Sequence, residues 1–133
     1  MTPVEFRRHL HRHPELSFRE TESARFIAEA LREAGIPCRP IAGTGVLAKI
    51  EGRGDLRRAV VLRADIDALP IREQSGAAWS SENDGVMHAC GHDIHAAVLY
   101  GTLLRLSAER NFEGTLFGIF QPGEESNPGV AST

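Results

Sequence analysis

The apolar residues of the chain follow helical spacing in three segments. In residues 2–13, Phe6 and Leu10 are four positions apart and Pro3 follows a threonine, so we predict a short amphipathic helix that ends before Pro14. A second helix is predicted by apolar residues that recur every three or four positions and by a glycine beyond them, namely Ala24, Ile27, Ala28, Leu31, Ala34 and Gly35. The nearly continuous apolar segment 96–106 predicts a third, buried helix.

Three short apolar runs predict β-strands at residues 46–50, 59–62 and 115–120. Strands this short and apolar are typical of a buried sheet. Because these runs occur among predicted helices along the chain, the sequence predicts an α/β fold. We expect a three-layer sandwich in which one central mixed sheet holds all three strands and the second and third helices pack on it.

Composition and charge narrow the range of functions. The chain has 133 residues, of which 41% are hydrophobic and 25% charged, which suits one soluble domain with one core. The net charge is -3 and the basic residues are dispersed, so we expect no nucleic-acid partner. No apolar run approaches the roughly 18 residues of a membrane span and no export signal is evident, so we expect no membrane partner and a cytoplasmic location. In a reducing compartment, Cys38 and Cys90 are expected to remain free thiols.

The segment 87–95 concentrates side chains that bind metal ions. Cys90 and His92 are separated only by Gly91, so both can face one ion if the backbone bends at the glycine. A single histidine is usually a packed or solvated residue. Here, however, Asp93 and His95 follow directly and can orient the two ligands. We therefore predict a metal site at the entry to the third helix.

Two pairs of carboxylates follow predicted strands. Glu124 and Glu125 come shortly after the last strand, where open α/β sheets place their sites. Neighbours in an extended chain point to opposite sides, so one glutamate can bind a metal. A modest bend at Gly123 can bring the other over the water as a general base. A solvated acidic turn is the alternative. Asp65 and Asp67 follow the second strand with both carboxylates on one side, where they can bind a metal, orient a ligand histidine or lie in solvent.

Two other polar segments are assigned no chemistry. His9, His11 and His13 recur at every second residue, which do not share a helix face, so we interpret them as surface and interhelix residues. Residues 73–86 are polar and contain glycines, and we expect an irregular loop over the site.

Four motifs occur in an order that resembles a known enzyme family. They are R-H-L-H-R-H-P-E-L-S-F from Arg8, L-R-A-D-I-D-A-L-P from Leu62, M-H-A-C-G-H-D-I-H from Met87 and F-Q-P-G-E-E from Phe120. Together they resemble the metal-dependent amidohydrolases that include hippurate hydrolases, N-acyl-amino-acid amidohydrolases and auxin-conjugate hydrolases, relatives of the aminoacylases and zinc carboxypeptidases. The resemblance spans nearly the whole chain and implies a zinc-peptidase-like catalytic domain.

The resemblance also implies which residues carry the reaction. Cys90, His92 and Glu125 match metal ligands, and Glu124 matches the general base that takes a proton from water. The implied reaction is hydrolysis of the amide bond of an N-acyl amino acid or short peptide with one or two divalent ions. Thiolate and imidazole suit zinc, whereas carboxylates admit manganese or cobalt, so the metal is left open.

Three more residues are expected to support the ligands rather than to bind the ion. Asp67 falls where the wider clan keeps an aspartate behind a metal-binding residue. Asp93 and His95 fall within the metal motif, directly after its ligands.

Length is the main departure from the family. Its members are much longer, with further histidine ligands after the paired glutamates and an inserted smaller domain for closing over substrate and for dimerisation. We therefore expect residues 1–133 to be the amino-terminal part of a catalytic domain, without the lid and dimerisation domain and inactive alone, while a longer form can be a homodimer. Two local departures, Gly123 in place of the common alanine and a less glycine-rich segment 126–130, predict a differently shaped loop.

A second kind of function is also open, a metal-binding or interaction module that keeps the fold without chemistry. A structural zinc domain fits less well, because such sites usually have four protein ligands.

Overall fold

A computed structural model describes residues 1–126, in which three helices and four strands occur. In chain order these are α1 (Pro3–Arg12), α2 (Thr21–Glu33), β1 (Cys38–Ile41), β2 (Gly45–Glu51), β3 (Ala59–Asp65), α3 (His92–Glu109) and β4 (Thr115–Gln121). The three predicted helices and three predicted strands are present, and β1 is an addition. The predicted departure at 126–130 lies outside the described residues apart from Ser126.

The four strands form one mixed sheet in the order β1-β2-β4-β3. β2 is antiparallel to both β1 and β4, whereas β3 and β4 are parallel. β1 contains Pro40 and lies at the edge, where a residue without an N–H group is tolerated. The prediction that one mixed sheet contains the three predicted strands is thus confirmed.

The hydrophobic core lies between one face of this sheet and the helices. Val46, Ala48 and Ile50 alternate along β2, and Val46 and Ile50 pair with core residues of β4, so these residues share one face. Phe6 of α1 is fully buried and stacks on Tyr100 of α3 with ring centroids 4.3 Å apart. The α/β class is confirmed, and the described helices form one layer on the sheet.

The ends of two strands and the start of one helix meet at one edge of the sheet. β3 and β4 run in parallel, with Asp65 paired to Gln121, so the residues after both strands are neighbours. The Ile66 N–H group donates to the Gln121 carbonyl at 3.0 Å, an ordinary hydrogen-bond distance. α3 begins at His92 beside them, as predicted from the apolar run that follows.

A buried polar network connects α1 to the start of α3. His11 Nδ1 lies 2.8 Å from Asp93 Oδ2, and Arg7 Nε donates to the same oxygen at 2.7 Å. The other ring nitrogen of His11 lies 3.0 Å from Glu73. His11 is therefore an interhelix residue, as predicted. Residues 73–86 form no helix or strand, as predicted, and Glu73 contacts α1 through His11.

Within residues 1–126, no helix combines the length and the apolar character needed to cross a bilayer. Cys38 and Cys90 carry free thiols.

His88 is an unusually isolated polar side chain. Only 4% of its surface is exposed, and neither ring nitrogen has a hydrogen-bond partner among the described residues. Burial disfavours the charged imidazolium and lowers the pKa of His88 to about 4. The folded chain therefore keeps this histidine neutral under mildly acidic conditions.

We predict that His88→Leu reduces the loss of stability in mild acid. An unfolded histidine has a pKa of 6.5, so between pH 6.5 and about 4 the unfolded state binds one proton more than the folded state. Stability from this residue is present above pH 6.5 and decreases as the pH falls, by roughly 2 kcal/mol between pH 7 and pH 5. Urea unfolding of the chelator-treated chain at both pH values measures the difference, and equal pH dependence in parent and variant would contradict the prediction.

Candidate metal centre

His92 lies between two aspartates at the start of α3. Its Nδ1 atom is 2.9 Å from the Asp67 carbonyl oxygen and 3.1 Å from Asp67 Oδ1. On the other side of the ring, Nε2 is 3.5 Å from Asp65 Oδ2. The D-x-D spacing thus brings both carboxylates to one imidazole. Because Asp67 occupies Nδ1, Nε2 is the nitrogen available to a metal ion.

Cys90 and Glu125 lie next to that nitrogen. One ligand atom each from Cys90, His92 and Glu125 can be chosen so that all three lie within 4.8 Å of one another. Gly91 has φ 86°, a left-handed conformation that glycine adopts without a steric penalty. The bend that we predicted between Cys90 and His92 is therefore present, and it turns both side chains toward Glu125.

A second group of possible ligands shares His92. Asp65, His92 and His95 also offer atoms within 4.8 Å of one another, and His95 Nδ1 is 2.7 Å from Asp65 Oδ1. Our sequence analysis considered Asp65 only together with Asp67, as a pair that can bind a metal or orient a ligand histidine. The D-x-D spacing was the signal for it, because Asp65 and Asp67 approach the same ring from opposite sides.

Glu124 and Glu125 lie in a turn rather than in an extended segment. The Ser126 N–H group donates to the Gly123 carbonyl at 3.4 Å, and Gly123 has φ 65°. Glu124 Oε2 is 3.8 Å and Glu125 Oε1 is 3.5 Å from His92 Nε2. The extended geometry assumed for the pair therefore does not hold, whereas the bend expected at Gly123 is present and directs both carboxylates toward one imidazole.

The two glutamates still differ in their surroundings. The backbone N–H group of Glu125 donates to Asp67 Oδ2 at 2.8 Å. The side chain of Glu124 is more exposed, at 38% against 25%, and does not belong to the group formed with Cys90 and His92. Glu125 therefore belongs to a group of possible ligands, whereas Glu124 lies outside that group and is more open to solvent.

The carboxylate of Asp93 lies away from these ligands. It pairs with Arg7 and His11, and its Oδ1 atom has no hydrogen-bond partner within the described part of the chain. Its support of the neighbouring ligand His92 stays a prediction, as does that of His95.

The carboxylates around His92 and Cys90 favour a positive charge at the centre. Burial raises the pKa of Asp67, but hydrogen bonds from His92, the Glu125 backbone and Ser17 outweigh it and hold the value at about 2. Burial lowers the pKa of His92, but the bond to Asp67 and the charge of Asp65 raise it to about 9. A hydrogen bond to Glu125, followed by burial, raises the pKa of the Cys90 thiol to about 11.

The residues present fit a divalent ion. Thiolate, imidazole and carboxylate are the side chains that bind zinc in proteins. His92 is held through its other nitrogen by Asp67, which is how ligand histidines are usually oriented. Negative carboxylates around the thiol and the imidazole provide charge that a divalent cation would balance.

A separate cleft of ≈ 570 Å³ lies between α1 and α2. Its walls include His9, His13 and Phe26 but none of the residues predicted for the site. The candidate centre is therefore identified by the chemistry of its side chains and not by this cleft.

Comparison with known proteins identifies close relatives. The chain is 47% identical to an N-acetyl-L-cysteine deacetylase of Bacillus subtilis over 129 residues, covering 96% of this chain and 31% of the relative. It is 45% identical to an N-acyl-L-amino acid amidohydrolase of Geobacillus stearothermophilus, covering 96% and 35%. The crystal structure of the Bacillus subtilis YXEP protein, described as a dinuclear metal-binding peptidase, matches with a TM-score of 0.86 and 46% identity, covering 90% of this chain and 34% of that one.

The chain thus spans about a third of the length of these relatives. The family model described as peptidase family M20/M25/M40 matches residues 61–133, which include every predicted ligand and the paired glutamates. Since this match covers more than half of the chain and agrees with the motifs from which we inferred the resemblance, the chain belongs to peptidase family M20/M25/M40.

Proposed function

We propose that the chain is the amino-terminal part of the catalytic domain of a metal-dependent amidohydrolase, which cleaves the amide bond of N-acyl amino acids or short peptides. The observation that carries the proposal is the convergence of Cys90, His92 and Glu125, with Glu124 beside them but outside their group. The names of the similar deacetylase and amidohydrolase support the substrate class.

In the proposed reaction, Cys90, His92 and Glu125 hold a divalent ion, with zinc, manganese and cobalt as the compatible metals. When bound, such an ion polarises a carbonyl group and lowers the pKa of water. Glu124 takes the proton from the attacking water and delivers it to the leaving amine. Asp67 keeps the His92 ring oriented through Nδ1.

The proposal extends to the longer protein that such a catalytic domain requires. We propose that further ligands and a lid and dimerisation domain are contributed by residues with no counterpart in this chain, and that the longer protein acts in the cytoplasm as a homodimer, without a nucleic-acid or membrane partner. The length of the relatives, about three times that of this chain, supports the first part. A second ion, as in the dinuclear peptidase, is part of the same proposal.

We expect the isolated 133-residue chain to bind a divalent ion weakly and to hydrolyse N-acyl amino acids negligibly, since its described residues offer only three ligands in the group around Cys90. Titration with Co²⁺ should produce thiolate-to-metal absorption in the parent chain and none in Cys90→Ser. Ready turnover of hippurate or N-acetyl amino acids by chain purified free of host enzymes would contradict this expectation. Metal binding that persists without activity in a completed domain would favour the non-catalytic module instead.

We predict that the roles of Glu124 and Glu125 separate in a completed enzyme. A suitable one is a chimera in which residues 1–126 replace the matching part of the Bacillus subtilis deacetylase. Glu124→Gln removes the base but keeps size and polarity, so kcat should fall by roughly 10²-fold or more while metal content stays nearly intact.

In the same chimera, Glu125→Gln should lose metal first. Metal analysis and turnover of both variants provide the comparison. If Glu124→Gln loses the metal while Glu125→Gln retains metal and activity, the two roles are reversed.

A further inference from the structure

The motif that begins at Arg8 contributes Ser17 to the centre described above, and its last residue, Phe18, and the nearby Glu20 contact the turn that carries the paired glutamates. We propose that Phe18 and Glu20 are positioning residues for the 123–126 turn, so that they direct the carboxylate of Glu124. This inference rests on the proposed function, because it assigns these two residues to the same site.

Glu20 provides the first contact. Its carboxylate is fully buried, and Oε2 accepts a hydrogen bond from the backbone N–H group of Gly123 at 2.7 Å. The other oxygen accepts a hydrogen bond from Thr44 Oγ1 at 2.9 Å. Burying a carboxylate is unfavourable unless such donors compensate for lost water, and bonds to a charged acceptor are stronger than neutral ones. Glu20 and the Gly123 backbone are therefore fixed relative to each other.

Phe18 provides the second contact, from another direction. A Cβ atom added to Gly123 would fall on the ring of Phe18, so the ring packs directly against this glycine. Phe18 itself has φ 62°, a conformation that bulky residues rarely adopt. The ring of Phe18 and the carboxylate of Glu20 thus both contact Gly123.

The far side of the turn is held separately. The N–H group of Glu125 donates to Asp67, whose carboxylate also accepts a hydrogen bond from Ser17 Oγ at 2.7 Å. Glu124 lies between two backbone positions, Gly123 and Glu125, that buried carboxylates hold. The contacts of Gly123 and Glu125 therefore set the direction of the Glu124 side chain.

Glu20 acts on this turn without meeting substrate. It is fully buried, and the side-chain hydrogen bonds that it makes among the described residues connect it to Gly123 and Thr44, not to Cys90 or His92. It is therefore a positioning residue and not a catalytic one.

The first test uses amide hydrogen exchange in the 133-residue chain. Glu20→Met keeps volume but removes both acceptor oxygens, whereas Glu20→Gln keeps one oxygen for the Gly123 N–H group. We expect exchange at Gly123, relative to Ile119 in β4, to accelerate about tenfold or more in Glu20→Met and to stay near the parent ratio in Glu20→Gln. Thr44→Val is the matched control, because it removes the other partner of Glu20 and should leave this ratio near the parent value. General destabilisation would accelerate both amides and leave the ratio unchanged.

The second test uses the chimera with the Bacillus subtilis deacetylase. Glu20→Met should lower kcat by about 10-fold to 100-fold, the scale expected when a reacting group is displaced, with KM and metal content near the parent values. Glu20→Gln should recover most of kcat.

An unchanged exchange ratio or an unchanged kcat in Glu20→Met would overturn the inference. A loss of metal in step with kcat would also overturn it, since Glu20 would then act on the ion site and not on the turn. If the parent chimera has no amidohydrolase activity, the proposed function fails, and the exchange ratio then decides on its own whether Glu20 holds the turn.

Discussion

The buried carboxylate of Asp67 is the contact on which the candidate centre depends. It faces His92 Nδ1, and it accepts hydrogen bonds from the Glu125 backbone and from Ser17 Oγ. A buried charge without such partners is strongly unfavourable, so each donor stabilises the placement of the others. One side chain thereby fixes the orientation of a ligand histidine and the position of the glutamate turn relative to the end of β3.

Much of the fold could be predicted from local patterns. Apolar spacing identified α1, α2 and α3, and short apolar runs identified β2, β3 and β4. β1 was missed because a four-residue edge strand with Pro40 carries neither an apolar run nor clear alternation. The strand order was not predicted either, because β4 pairs between β2 and β3 through residues that are distant in the sequence.

The site could be predicted only where its chemistry is local. Cys90 and His92 are almost adjacent, and Glu124 and Glu125 are neighbours, so clustering was enough to select them. The rule that neighbours face opposite sides failed for the glutamates because it holds for extended backbone, whereas Gly123 turns the chain. Asp65 was recognised only as half of the D-x-D pair, because its partner His95 is 30 positions away. Glu20 was not selected, because its partner Gly123 is 103 positions away.

These separations also bear on the order in which the molecule assembles. Asp67 and Glu125 are 58 positions apart, and Glu20 and Gly123 are 103 positions apart, so the centre requires the closure of long loops. The entropy of closing such loops is lost before distant contacts compensate for it, and parallel pairs such as β3 and β4 form slowly. In short zinc modules the ion organises the chain around itself. Here contacts from distant parts of the chain position the ligands, so we expect the folded sheet, and not the ion, to bring the ligands together.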